Sequence, residues 1–274
     1  MWVYIGTSEL KNAYIWEYIP QYLCFTANTA GSTVRLYKNW SPTTVTLETS
    51  IDGYSWSTYT MWATITLSNV WDKVYFKRTS GAQWKFSTNY QNNYYFRMSG
   101  SINGSGDVTS LLCSDLTKDL TDSGDYCLWY LFRNCTSLVT PPNLPATILT
   151  TNCYNGMFSG CTGLSNMCEL PATELKNYCY SSMFSWCSSL SELPILKAAT
   201  INEQSYMYMF RNCTNIKLSA TQTWEYQTPF RIPSEWEWGT VYYQWLQYMF
   251  TGTWWTFTWT PTINTTYYTS NVLV

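Results

Sequence analysis

Apolar positions recur along the middle of this chain with a period of 26 residues, from residue 127 to residue 218. Three positions of the repeat hold phenylalanine, cysteine, and leucine or isoleucine in successive copies. They are Phe132, Phe158, Phe184 and Phe210; Cys135, Cys161, Cys187 and Cys213; and Leu138, Leu164, Leu190 and Ile216. One such unit cannot bury its apolar face alone, so the pattern predicts a solenoid whose units stack and share a continuous core.

The pattern inside one unit predicts a helical turn, a tight corner and a short strand. Residues 154–158 contain no proline and are typical of a helical turn, and their Met–Phe pair is expected to enter the core. Gly160 lies in the corner that follows, and Leu164 begins the strand. Pro171 ends the strand because proline has no backbone donor.

The repeat resembles a known family in one recurring motif. The motif is Cys-x4-Phe-x2-Cys-x2-Leu, followed by Leu-Pro-Ala-Thr at 144–147 and 170–173. It is similar to the BspA-type leucine-rich repeats of surface proteins, which are common in gut bacteria and their phages. The resemblance implies a right-handed β/α solenoid with a role in adhesion or recognition, and it implies no reaction.

The segments before the repeat show other patterns. Residues 1–20 predict a short leader of two brief strands, and residues 4–15 resemble the opening segment of many virion structural proteins of gut phages. That resemblance implies attachment to the particle, and a hairpin docked on the next domain is the alternative. In residues 21–100, short runs rich in β-branched and aromatic residues alternate with turn clusters, which predicts an antiparallel β-sandwich.

Together these patterns predict a β-rich α/β chain with an N-terminal sandwich, a short leucine-rich-repeat β/α solenoid and a C-terminal cap. The predicted parts are an attachment segment (1–20), the β-sandwich (21–100), the solenoid of 26-residue repeats (101–220) and an aromatic-rich cap (221–274). In the cap, Tyr248-Met249-Phe250 echoes the Tyr-Met-Phe of 208–210, with Thr253 in place of the cysteine.

Trp40 and Trp71 stand at predicted turns where the family that this chain resembles usually has glycine, and Trp186 is a third such tryptophan. In the unit before Trp186 the same slot holds Gly160. Glycine allows a positive φ angle and tryptophan resists it. Either these turns change type, or the rings are displayed at the cost of backbone strain. These three residues are predicted to contact a partner.

A second group of candidate binding residues lies near the C-terminus: Trp254, Trp255, Phe257 and Trp259. Residues 255–260 alternate aromatic residues with threonine, so the rings at 255, 257 and 259 share one face of a strand. The first interpretation, which the sequence favours, is that this face covers the open end of the repeat core. The second is an exposed platform for sugar rings or for another subunit.

Composition excludes several functions. The net charge is −2 and only 12% of residues are charged, so nucleic acid is not an expected partner. No apolar run is long enough to span a membrane, and the first ten residues lack the features of a signal peptide. The chain has no histidine, which removes the commonest general base and metal ligand. No catalytic residue, metal or cofactor is predicted.

Two clusters could suggest metals or disulfides. Asp115, Asp119, Asp122 and Asp125 lie close in sequence, but their spacing does not match an EF-hand loop. A solvated acidic loop is predicted there, with a calcium site as the alternative. The chain has ten cysteines, seven of them at repeat positions, which predicts buried free thiols in preference to disulfides or zinc ligands.

These features predict a non-enzymatic recognition protein of a phage virion, in a tail or head fibre, that contacts a host receptor or glycan. Its N-terminal segment would bind other virion proteins, and a homo-oligomer is compatible with the exposed aromatic residues. A bacterial cell-surface or extracellular adhesin is the alternative, although it needs an export signal or an anchor. A glycan-active enzyme is the third hypothesis, for which no pair of acids was identified.

Overall fold

The computed structural model describes residues 21–39, 45–79, 86–87, 89, 92–113, 116, 118–234, 245–255 and 260–270. Within these residues lie strands β1 to β13 and two short 3-10 helices. The strands are β1 (Leu23–Ala27), β2 (Ser32–Lys38), β3 (Leu47–Ser50), β4 (Ser57–Thr58), β5 (Ile65–Leu67), β6 (Lys73–Arg78), β7 (Tyr94–Ser99), β8 (Ile102–Ser105), β9 (Leu138–Thr140), β10 (Lys217–Ser219), β11 (Thr228–Arg231), β12 (Trp254–Trp255) and β13 (Thr266–Thr269). The 3-10 helices span Val108–Leu111 and Thr121–Ser123.

The N-terminal part packs a six-stranded sheet against a three-stranded one. The strand orders are β4-β3-β6-β1-β8-β9 and β5-β2-β7. Buried residues alternate with less buried ones along β2 and β6, as expected for strands with one face in a core. Phe25 of β1 meets Phe96 of β7 edge to face, with ring centroids 5.0 Å apart. The core therefore lies between the two sheets.

The six-stranded sheet continues into the repeats. β8 pairs antiparallel with β1 and parallel with β9, the first strand of the repeat region, through Ile102 and Leu138. β8 lies just beyond residue 100, where the sequence predicted the boundary between sandwich and repeats. Strand pairing thus joins the two parts directly.

Each repeat unit contains a segment of consecutive turns, here called a turn ribbon. The ribbons span residues 126–134, 152–160, 178–186 and 204–212, and a fifth includes residues 245–252. In the second ribbon, Asn152, Gly156 and Gly160 have positive φ, so the backbone is left-handed at every fourth residue. The amides of Gly156 and Phe158 donate to the next unit, at 2.8 and 2.9 Å, whereas the amide of Met157 turns back to Tyr154.

The predicted α/β class is wrong. The described residues contain no α-helix, and their strands belong to three β-sheets, so they do not form the β/α solenoid that the family resemblance implied. Residues 154–158, predicted as a helical turn, contain the left-handed Gly156. Their alternate amides also donate to the neighbouring unit instead of four residues back along the chain. No strand begins at Leu164 or Leu190.

Stacked phenylalanine rings form the core of the repeats. Phe132, Phe158, Phe184, Phe210 and Phe250 follow one another with centroid separations of 5.4, 5.5, 5.7 and 5.4 Å, and neighbouring rings are nearly parallel. All five rings are fully buried. At the N-terminal end, Phe132 stacks on Phe96 of the three-stranded sheet at 5.4 Å. One aromatic column therefore connects the sandwich with the last unit.

A four-stranded sheet, in the order β11-β13-β10-β12, ends the described stack. β10 pairs antiparallel with β13 and parallel with β12. The fifth ribbon receives the backbone bond of Phe210, whose amide donates to Met249 at 2.8 Å. Phe230 of β11 closes the ring column edge to face on Phe250 at 5.9 Å.

Candidate binding surface

Three exposed tryptophans have left-handed backbones. Trp71 is 71% exposed with φ 74°, Trp186 is 55% exposed with φ 67°, and Trp62 is 46% exposed with φ 66°. Hydrogen bonds fix two of these turns, because the Trp71 amide donates to Ala27 at 2.8 Å and the Trp186 amide to Arg211 at 2.7 Å. Trp71 and Trp186 are thus displayed on strained turns. Trp62 was not predicted, because no neighbouring copy in the sequence places glycine in its slot.

The other predicted binding residues are only partly described. Trp40, Phe257 and Trp259 lie outside the described residues. Trp254 and Trp255 form β12, and they pair with Lys217 and Leu218 of β10. The choice between a cap and an exposed platform for the C-terminal rings stays a prediction.

The outer side of the turn ribbons is rich in aromatic residues. The aromatic residues at left-handed positions of the ribbons are Tyr126, Tyr130, Tyr178, Trp186, Tyr208 and Tyr248. All of them are exposed or half-buried. Tyr208 and Tyr248 stack across two units at 5.5 Å, and the Arg211 guanidinium lies 5.0 Å from the Tyr208 ring. This surface differs from the residues on either side of the repeat leucines, which are small and mostly polar and include no tyrosine, tryptophan or arginine for tight binding.

A glycine allows one ribbon ring to lie on the next unit. A Cβ atom at Gly156 would fall 1.9 Å from Cε1 of Tyr130, so the ring occupies the space that a side chain would need. Gly156 also has φ 58°, which disfavours other residues. The position of the Tyr130 ring thus depends on the residue 26 positions later in the sequence.

Four side chains form an arginine–tyrosine face on the outer side of β2 and β7. Arg35 lies directly opposite Arg97, and Tyr37 lies opposite Tyr95. The tyrosine rings stack at 5.5 Å with an interplanar angle of 9°. The Arg35 guanidinium lies 4.5 Å from the Tyr37 ring, and that of Arg97 lies 4.7 Å from the Tyr95 ring. The intervening residues Leu36 and Phe96 are buried, so these four side chains lie on the opposite face.

A cleft of about 220 Å³ separates this face from the first turn ribbon. Its lining residues are Asn39, Asn93, Tyr95, Arg97, Trp129, Tyr130, Arg133 and Asn134. Two hydrogen bonds join β7 to the first turn ribbon beside the cleft: Arg97 Nη1 donates to the Arg133 carbonyl at 2.8 Å, and the Phe96 amide donates to the Leu131 carbonyl at 2.7 Å. Asn39 Nδ2 donates to Asn93 Oδ1 at 2.8 Å, which orients both amides at the rim.

The cleft arginines Arg97 and Arg133, and Arg35 opposite Arg97, form no ion pair with an acidic side chain in the described part of the chain. The ion pairs found there all involve lysine: Lys77–Glu48, Lys176–Glu174, Lys197–Glu169 and Lys217–Glu225. Arg133 instead lies over the Tyr130 ring, 4.5 Å from its centroid. The Nε of Arg35 is shielded from solvent and has no hydrogen-bond partner among the described residues. Uncompensated positive charge therefore collects at the cleft, although the chain carries a net charge of −2.

The acidic cluster shows local hydrogen bonding. Asp119 accepts bonds from the amide and hydroxyl of Thr121, and these bonds lower the pKa of its carboxyl. Asp125 accepts a bond from the Thr151 amide at 3.1 Å. Asp115 lies outside the described residues. Among those that are described, no three acidic or cysteine side chains are placed to hold a metal ion together.

The prediction of buried cysteines without disulfides is confirmed, since none of the ten cysteines forms a disulfide and all are buried. The cysteines three residues after the core phenylalanines form a ladder. The thiol of Cys135 donates to the carbonyl of Phe96 in β7, and the later thiols donate to the carbonyl of a phenylalanine in the preceding unit. Cys161 donates to Phe132 at 3.0 Å, and Cys187 donates to Phe158 at 3.2 Å. Cysteine therefore provides a small side chain that bonds to the neighbouring unit.

We expect these thiols to react slowly in the native protein. Burial raises the pKa of Cys135 to about 12, which keeps the thiolate scarce at neutral pH. Ellman's reagent at pH 8 should label few thiols in the native state and all ten in denaturant. The pKa of this thiol in the folded protein lies above its ordinary value of 9.0. Its contribution to the free energy of unfolding should therefore be fully present below pH 9 and should decrease as the pH rises towards 12. Rapid native labelling of most thiols would contradict the buried ladder.

Comparisons with known protein families, with curated protein sequences and with solved structures each find no match to this chain. In the part of the chain that the structure describes, no helix has the length and apolar character needed to cross a membrane. Function is therefore inferred from the chemistry of the surfaces described above.

Proposed function

We propose that this chain is a non-enzymatic recognition protein on the surface of a phage particle, in a tail or head fibre, and that it contacts a receptor or glycan of the host cell. The observation that carries the proposal is the display of large aromatic rings on left-handed turns. The resemblance of residues 4–15 to virion proteins supports the particle as its location, with residues 1–20 binding other virion proteins. The proposal requires no reaction, and the chain contains no histidine.

The energetics of the displayed rings support recognition. Tryptophan and tyrosine contribute large rigid contact areas and lose little conformational entropy, so they dominate many binding interfaces. A sugar ring also offers an apolar face on which such rings stack. Exposed Trp71 and Trp186, together with Tyr208 and Tyr248, provide these contacts on separate turns of one chain.

The backbone strain supports a functional reason for these tryptophans. A left-handed backbone costs a residue with a Cβ atom about 1–2 kcal/mol. Asn134, Gly160 and Asn212 occupy the slot of Trp186 in other units, at φ values of 62°, 78° and 60°. These residue types tolerate the conformation better than tryptophan does. A tryptophan in this slot therefore sacrifices stability, and a contact made by the exposed ring accounts for its presence.

We expect Trp186→Asn to separate binding from stability. The free energy of unfolding should stay unchanged or rise by up to about 1 kcal/mol, since asparagine accepts the left-handed backbone. Attachment to cells should fall at least about fivefold, because a hot-spot ring is worth more than about 1 kcal/mol. Urea unfolding measures the first quantity. Flow cytometry of labelled protein on a panel of gut bacterial strains measures the second.

The control is Trp224→Asn, which removes a ring that is 86% exposed and does not have a left-handed backbone. It should give no gain in stability. Unchanged cell attachment in both Trp186→Asn and Trp71→Gly would refute the proposed role of the displayed rings. Capsid and tail genes beside the gene would support a virion protein, whereas a secretion cassette there would support the bacterial adhesin.

A further inference from the structure

We infer that the cleft between the arginine–tyrosine face and the first turn ribbon binds a carboxylated sugar, a sialic or uronic acid, whose carboxylate contacts Arg97 and Arg133 of the cleft lining. This inference rests on the proposed recognition of surface glycans and names the chemical class of one ligand.

The first argument is the pairing of like charges. Arg35 and Arg97 lie directly opposite each other on neighbouring strands. Like charges in this arrangement destabilise a sheet, and opposite charges stabilise it. None of the ion pairs in the described residues involves either guanidinium. A bound anion would therefore relieve a repulsion that the isolated chain retains.

The second argument is the orientation of the guanidinium groups. Stacking on Tyr37 and Tyr95 holds the planes of Arg35 and Arg97, and the bond from Arg97 Nη1 to the Arg133 carbonyl fixes one more direction. Arginine presents its donors in a planar fork that matches a carboxylate. Groups held in place before binding lose less entropy when a ligand arrives. The arrangement thus suits a planar anion.

The third argument is the composition of the remaining lining. Tyr95 and Trp129 offer aromatic surface for the apolar side of a sugar ring, and the side-chain amides of Asn39, Asn93 and Asn134 offer donors and acceptors for hydroxyl groups. The volume of about 220 Å³ is smaller than the usual pocket for a drug-sized ligand, so it suits a single sugar unit. An acidic sugar has all three features that this cleft can recognise.

The test measures binding of four small probes to the full chain by titration calorimetry. The probes are 3′-sialyllactose, trigalacturonic acid, 3′-sulfolactose and lactose. We expect at least one carboxylated probe to bind at least about tenfold more tightly than lactose in about 0.02 M salt, and to weaken in about 0.5 M salt as the charges are screened. Equal affinity for lactose, or tighter binding of the sulfated probe than of both carboxylated ones, would overturn the inference.

Variants assign the binding to the cleft. Arg97→Gln should weaken binding of the carboxylated probe at least about tenfold, whereas Arg97→Lys should lose less affinity because it keeps the charge without the fork. The matched control is Arg211→Gln, since Arg211 stacks on Tyr208 in the repeat slot that Arg133 occupies three units earlier. The affinity of Arg211→Gln for the carboxylated probe should stay within about twofold of that of the parent. Equal losses in Arg97→Gln and Arg211→Gln would refute the assignment.

Two further readouts separate the possible failures. Arg97→Gln should melt close to the temperature of the parent, because the change removes a repulsion between strands and also the bond from Arg97 to the Arg133 carbonyl. If Arg97→Gln melts at a lower temperature and binds no probe, Arg97→Lys decides the outcome. An Arg97→Lys variant that melts like the parent and binds the carboxylated probe supports the binding role of Arg97, and one that does not refutes it. If no acidic probe binds while the labelled protein still attaches to cells, this inference fails and the proposed function stands. If neither binding occurs, both fail.

Discussion

Replacing Phe158 by alanine is expected to lower the free energy of unfolding by about 3–5 kcal/mol. The ring is fully buried and stacks between Phe132 at 5.4 Å and Phe184 at 5.5 Å. Its removal leaves a cavity in the middle of the column and breaks two aromatic contacts. Urea unfolding, followed by tryptophan fluorescence and by circular dichroism, measures the change.

Trp224→Ala provides the control for this experiment, because it removes a larger ring that is 86% exposed. Its unfolding free energy should stay within about 0.5 kcal/mol of the parent. A loss below about 1 kcal/mol in Phe158→Ala would mean that the ring column does not form the core.

Gly106→Ala is expected to lower the free energy of unfolding by about 2–5 kcal/mol, which is the sum of backbone strain and overpacking. Gly106 has φ 67°, and a Cβ atom there would lie 1.9 Å from the carbonyl oxygen of Tyr22. That oxygen belongs to the backbone and cannot rotate away. The Gly106 carbonyl also accepts the Asn143 amide at 2.8 Å, so movement would disturb the junction of sandwich and repeats.

Gly31→Ala separates the two costs. Gly31 has a similar φ of 77°, and no atom lies within 4 Å of its would-be Cβ. The free energy of unfolding of Gly31→Ala should therefore fall only by the cost of the left-handed backbone, about 1–2 kcal/mol. Thermal or urea unfolding of both variants gives the cost of the steric clash as their difference. Equal losses would show that the chain moves freely at Gly106.

The positions of the core residues could be predicted from the sequence because burial follows a period. Phe158, Cys161 and Leu164 recur at intervals of 26 residues and are fully buried. The local conformation could not be predicted in the same way. The left-handed backbone at Asn152, Gly156 and Gly160 follows hydrogen bonds to the next unit, and a period of apolar residues does not specify those bonds. This explains why the predicted helical turn was wrong.

The displayed tryptophans could be predicted from the sequence, whereas the arginine–tyrosine face could not. Trp186 could be noticed because a neighbouring unit has Gly160 in the same slot, which pointed to a positive φ. The arginine–tyrosine face was missed because it depends on the register between β2 and β7, and β7 was not predicted. The alternation Arg35-Leu36-Tyr37 and Tyr95-Phe96-Arg97 is a usable signal. It becomes informative only when Arg35 is known to pair with Arg97.

The hydrogen-bond ladder between turn ribbons has a consequence for how such a chain changes in length. Each turn ribbon donates its amides to the next unit and accepts with its carbonyls from the preceding one, as the amides of Phe132 and Phe158 illustrate. A duplication of one unit would leave the bonding at both ends intact and would add about 5.5 Å between them. The distance between the arginine cleft and the C-terminal sheet is therefore set by a count of units. Evolution can adjust the reach of the chain in fixed steps without redesigning either end.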